Sequence, residues 1–261
     1  MQNARASTST QSPALELTGL VKRFGDNLAV DHVDLTVPRG SFFGLVGPNG
    51  AGKTTSLSMA VGLLRPDEGH ARIFGVDMWE QPLQAKALIG VLPDGVAMPE
   101  RLKGRELLTY LGLLRAMEKS VVEQRAEELL NVLGLAEAED TLIIEYSQGM
   151  RKKIGIASAL LHSPKLLVLD EPFEAVDPIS ASTIRTILQR FVTAGGSVII
   201  SSHVMALVEQ ICDHIAVMAK GKVLAAGAIE DVRGNQRLDD VFVNLVGARV
   251  SGAEGLSWLA S

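Results

Sequence analysis

A chain of 261 residues is long enough to bury one sizeable core or a core with an attached subdomain, and its 47% hydrophobic and 21% charged residues are an ordinary globular balance. The formal net charge of −5 excludes the basic field expected of a nucleic-acid binder, so no nucleic acid is predicted as a partner. Mean hydropathy is +0.22, yet the most apolar stretches (157–161, 166–169 and 198–200) stop well short of the roughly 18–20 apolar residues of a membrane span, which predicts core rather than membrane.

Residues 1–13 are rich in Ser, Thr and Gln and lack an apolar centre, which predicts a disordered tail and not a secretory signal. Leu15 and Leu17, then Val33, Leu35 and Val37, follow the two-residue period of strands, closed by a turn at Pro38-Arg39-Gly40. Residues 41–46 form a short continuous apolar run, the pattern of a strand buried on both faces. A helix is predicted to begin within 52–56 and to run to about Leu64, where Arg65-Pro66-Asp67-Glu68-Gly69 breaks it. From about 99 to 161 the pattern is helical: Leu107, Leu108, Leu111 and Leu114 mark one face. Val121, Val122, Ala126, Leu129, Leu130 and Leu133 mark another, ended by Gly134. Strand signals then return at 166–169, 197–201 and 215–219, with a turn through Lys220-Gly221-Lys222 into 223–225. Apolar strands alternating with helices predict an α/β fold with a mostly parallel sheet and a helical subdomain at about 95–161. Cys212, the single cysteine, excludes an internal disulfide and is predicted to be a half-buried small residue rather than a reactive thiol or metal ligand.

Gly47-Pro48-Asn49-Gly50-Ala51-Gly52-Lys53-Thr54, followed by Thr55, matches the eight-position phosphate-loop pattern between an apolar strand and a helix. Glycines let the backbone wrap closely around phosphate, and successive amides at the helix start bind the anion. Lys53 is expected to neutralise the β- and γ-phosphates of ATP, and Thr54 to ligate Mg²⁺. The aliphatic run 166–169 ends in Asp170-Glu171, which places two carboxylates at the carboxyl edge of the sheet, where the phosphate loop also opens. Asp170 is expected to hold Mg²⁺ and Glu171 to orient or deprotonate the attacking water.

With these motifs, the chain from about residue 15 to 227 resembles the ABC ATPase family. Tyr146-Ser147-Gln148-Gly149-Met150 is similar to the family's signature segment, and Ser147 is placed to cap the helix that follows it. The resemblance implies that Ser147 and Gly149 reach the γ-phosphate held by a second cassette. It implies further that Phe24 stacks on adenine, that His203 contacts the γ-phosphate and water, and that Asp177-Pro178 lines the interface between cassettes. It also implies a P-loop NTPase core with an N-terminal antiparallel β subdomain, the cassette occupying 14–228 and a C-terminal extension at 229–261 packing on it. Two positions depart from the family pattern. Asp94 stands after Ile89-Gly90-Val91-Leu92-Pro93 where glutamine is usual, and is expected to ligate Mg²⁺ through a carboxylate oxygen. Glu174-Ala175-Val176 replaces the more usual small and leucine residues.

The resemblance implies an ATP-dependent dimer, homo- or heteromeric, that drives an integral membrane permease carried on a separate chain, on the cytoplasmic face of the membrane. The Tyr-first signature looks like that of prokaryotic exporters of the drug- and antibiotic-resistance type. The alternative, a soluble ABC protein of translation or DNA repair, is disfavoured by the single cassette and by the lack of sustained heptads between Leu102 and Leu135. A P-loop kinase or GTPase would leave the signature and His203 without a purpose.

Overall fold

The computed structural model describes residues 11–95 and 98–247, so most of the expected N-terminal tail and the end of the C-terminal extension lie outside the described residues. An antiparallel sheet has the order β2 (Asn27–Val37), β1 (Leu15–Phe24), β4 (Glu68–Ile73), β5 (Val76–Asp77). A six-stranded sheet runs β10 (Lys222–Ala228), β9 (His214–Ala219), β3 (Phe42–Val46), β8 (Ser197–Ser202), β7 (Leu166–Leu169), β6 (Ile89–Leu92), with only β10 antiparallel.

The continuously apolar strands are explained by what covers them. Along β3, Phe42 and Val46 face one core, while Phe43 and Leu45 face another. The same two-residue alternation sends Leu167 and Leu169 of β7 to the first core and Leu166 and Val168 to the second. The second core fills the space between the two sheets around α1 (Lys53–Ala60) and α2 (Pro82–Leu88). The first lies under α3 (Gly104–Leu114), α4 (Lys119–Val132), α5 (Gln148–Leu160), α6 (Pro178–Thr193) and α7 (Met205–Ile211). Both faces of the sheet are therefore removed from water, and an alternating polar residue would be stranded there.

Several sequence expectations need correction. The helix after the phosphate loop ends at Ala60, four residues short of Leu64, because the chain turns at Gly62 with φ +75°. Leu107 and Leu108 are buried, but Leu114 is 65% exposed, since the core-facing stripe of α3 is narrower than the run of leucines. On α4, Val122, Ala126 and Leu130 are buried with the following Leu133, whereas Val121 faces solvent. Cys212 is buried rather than half-buried, packed against the first core, and burial raises its thiol pKa well above the ordinary value. After the sheet, α8 (Ile229–Arg233) and α9 (Leu238–Val246) fold back, burying Ile229 and Leu238 in the first core.

Candidate functional site

The loop between β3 and α1 is shaped by its glycines. Gly52 precedes α1 at φ +100°, and Gly50 sits at φ +75°, conformations that a Cβ makes costly. Gly47 answers a different need, because a Cβ there would lie 2.3 Å from the carbonyl oxygen of Met218 at the end of β9. The loop is thus braced against the β9–β10 hairpin, where Gly221 also donates its amide to Ala51 O at 3.0 Å. Lys53 is nearly buried, and its Nζ donates to Gly47 O at 2.7 Å and Pro48 O at 3.3 Å. Burial lowers its pKa, while the negative charges of Glu171 and Asp170 act in the opposite direction.

A cavity of about 370 Å³ opens over this loop. It is lined by residues 49–55 together with Asp94, Glu171, Glu174 and His203. Eight of the expected positions outside the glycines therefore meet in one space: Asn49, Ala51, Asp94, Glu171 and His203, with Lys53, Thr54 and Thr55 from the first turn of α1. Asp170 is buried behind that lining, with its backbone amide donating to Leu92 O at 2.7 Å. His203 Nδ1 lies 3.2 Å from Glu171 Oε1. Glu171 has φ +45°, in the left-handed region.

Other expected residues stand apart from this cavity. Phe24, at the end of β1, is half exposed, with Lys22 Nζ 5.9 Å from the centre of its ring. Ser147 caps α5, its Oγ accepting from Met150 N at 3.2 Å, as its sequence position predicts. Gly149 lies beside Asp177: a Cβ there would be 3.8 Å from Asp177 Oδ2. Asp177 caps α6 by accepting from Ile179 N and Ser180 N, and these bonds, the Ser180 bond first, hold its carboxyl below the usual range. Neither Ser147 nor Gly149 lines the phosphate-loop cavity.

Three residues beyond the sequence reading enter the site. Ser201, at the end of β8, donates to Asp170 Oδ1 and accepts from the Glu171 amide at 2.8 Å. Its signal was the parallel register that pairs Leu169 with Ile200, which is not visible in a single sequence. Glu174 returns to the cavity because its amide turns back onto Glu171 O at 3.3 Å. Lys152, on the second turn of α5, brings Nζ to 3.7 Å from Asp94 Oδ1, joining the loop after β6 to the helix that Ser147 caps.

The ABC transporter family model matches residues 30–174, from β2 through the phosphate loop to Glu174. The chain belongs to the ABC transporter family. It is 38% identical over 222 residues to the daunorubicin/doxorubicin resistance ATP-binding protein DrrA of Streptomyces peucetius, covering 85% of this chain and 67% of that one. It is 36% identical over 224 residues to the bacitracin transport ATP-binding protein BcrA of Enterococcus faecalis, covering 85% and 72%. In three dimensions it matches the ATP-binding subunit of an ABC transporter with a TM-score of 0.83 at 27% identity, over 89% of this chain and 99% of that one. As an ABC family member, the chain is an ATP-binding transporter subunit that hydrolyses ATP. Among the described residues, no helix is long and apolar enough to cross a membrane.

Proposed function

We propose that this ABC subunit works as one of two cassettes that close on ATP–Mg²⁺ and drive a membrane permease carried on a separate chain, in the direction of export. The supporting observation is a division within the site. The phosphate loop, Asp94, Glu171 and His203 share one cavity, while the signature residues Ser147 and Gly149 lie outside it, Gly149 beside Asp177. A single chain thus offers a phosphate cradle and a separate capped helix N-terminus, the two halves that a second copy or a homologous cassette would bring together.

In this reading residues 47–55 bind the phosphates, with Lys53 leaving its loop carbonyls to neutralise the β- and γ-phosphates. Phe24 stacks on the adenine. Thr54, Asp170 and Asp94 hold Mg²⁺, a hard cation suited to this hydroxyl and two carboxylates. When bound, the ion neutralises charge on the phosphates. Glu171 orients or deprotonates the attacking water, and His203, 3.2 Å from Glu171, contacts the γ-phosphate and positions that water. Ser147 and Gly149 of the opposite cassette complete the charge stabilisation. The cassette spans 14–228, with a helical subdomain at about 95–161 and an extension from 229. It works on the cytoplasmic face of the membrane, docked on the permease. Similarity to a drug-resistance protein and to a bacitracin transport protein supports an exporter of that type.

Two measurements test the reading. Glu171→Gln should abolish ATP turnover, and near-normal hydrolysis would refute the role of Glu171. Purification from membranes of the native organism should retain a multi-span partner. Recovery with ribosomes or DNA instead would overturn the transport assignment.

A further inference from the structure

Asp170 and Glu171 are gripped from both neighbouring strands. On one side Asp170 N donates to Leu92 O of β6 at 2.7 Å. On the other stands Ser201 of β8, whose side chain is completely buried. The parallel pairing of Leu169 with Ile200 carries Ser201 to the level of the two acids at the carboxyl edge of the sheet. A serine hydroxyl has one proton and two lone pairs, and here both functions are used. The proton goes to Asp170 Oδ1, and a lone pair receives the Glu171 amide at 2.8 Å.

We propose that Ser201 is a positioning residue for hydrolysis, joining Asp170 and Glu171 into one unit so that the metal-side and water-side carboxylates keep a fixed relation. The inference rests on the reading of Glu171 as the group that handles water. Glu171 sits at φ +45°, where a residue with a Cβ is held only if its surroundings over-determine it. The bond from its amide to Ser201 is one such restraint, and the contact with His203 Nδ1 at 3.2 Å is another. Both come from the end of β8, two residues apart. Without the hydroxyl, the 170–171 peptide is free to relax toward an ordinary φ, and the Glu171 carboxylate swings away from His203. A small displacement of a reacting group, caused by a change at a residue that does not itself touch the substrate, is costly in rate even when binding survives.

The test compares Ser201→Ala, Ser201→Thr, Glu171→Gln and the Ser201→Ala/Glu171→Gln pair, with kcat and KM for ATP, the melting temperature, and Mn²⁺ binding in the presence of ADP followed by electron paramagnetic resonance. Ser201→Ala should lower kcat by about 10- to 100-fold with little change in KM, and weaken Mn²⁺ binding through the disordered Asp170. Ser201→Thr keeps the hydroxyl and should recover most of kcat. At saturating Mg²⁺, where weakened metal binding is masked, adding Ser201→Ala to Glu171→Gln should cost the trace turnover left by Glu171→Gln far less than it costs the wild type, because its effect on the rate acts through that carboxylate. A kcat for Ser201→Ala equal to wild type, or a loss that multiplies in full with that of Glu171→Gln, would overturn the inference. If Glu171→Gln itself turned over normally, the reading of Glu171 would fail, a result distinguishable from an inactive Glu171→Gln beside an unaffected Ser201→Ala.

Discussion

Three glycines of the phosphate loop are required for separate reasons, and alanine at each should separate them. At Gly50 (φ +75°) nothing lies within 4 Å of an added Cβ, so Gly50→Ala meets conformational strain alone, about 1–2 kcal/mol. At Gly47 the φ is ordinary, but the Cβ would sit 2.3 Å from Met218 O and 3.0 Å from Ala51 Cβ. The obstacle is backbone, which cannot rotate aside, so overpacking of about 1–3 kcal/mol is expected from Gly47→Ala. Gly52 carries both penalties, with φ +100° and a Cβ 2.6 Å from Ala29 O. If the two add, Gly52→Ala costs about 2–5 kcal/mol. Urea unfolding at constant m measures these differences directly, and each kcal/mol should lower the melting temperature by about 2–4 °C in a chain of this size. The expected order is Gly52→Ala worst and Gly50→Ala mildest. A neutral Gly47→Ala, or a Gly50→Ala as damaging as Gly52→Ala, would refute the reasoning that space and dihedral act separately here.

Two further predictions follow from charged groups. Asp94→Gln should raise the Mg²⁺ concentration for half-maximal hydrolysis, while changing stability by less than about 1 kcal/mol because its pair with Lys152 is half exposed. An unchanged Mg²⁺ titration would count against direct ligation. His162 Nε2 donates to Ile89 O at 2.8 Å, and burial first, then the nearby positive charge of Arg115, hold its pKa down at about 4. The unfolded chain binds this proton near 6.5 and the folded chain does not, so stability should be lost as pH falls from about 6.5 toward 4, by of order 3 kcal/mol. His162→Gln should flatten that limb of the stability–pH curve, and an unchanged limb would show that His162 does not set it.

The apolar runs at 41–46 and 166–169 were legible as buried strands because cores lie on both of their faces, leaving no polar alternation to obscure them. The phosphate loop was legible because its glycines, Lys53 and Thr54 answer to local backbone needs. Strands β4 and β5 escaped notice. In β4 only Ala71 and Ile73 are buried, and the strand is defined by pairing with β1 some 50 residues away. Ser201 and Lys152 were hidden for a related reason: each acts on an acid brought to it by tertiary register, not by neighbouring sequence. Asp94 could be flagged as unusual from sequence, but its position between the phosphate-loop cavity and α5 required the fold.

The division between the phosphate-loop cavity and the Ser147 helix start is the centre of this account, and two chains are needed to close it. The direct measurement is the solution mass of Glu171→Gln by light scattering, with and without ATP–Mg²⁺. The account predicts one chain without nucleotide and two with it, the second state lost when Ser147→Arg places a bulky charge at the capped helix. A single-chain mass at saturating ATP–Mg²⁺ both alone and when mixed with a homologous cassette of the same organism, or a dimer indifferent to Ser147→Arg, would contradict it.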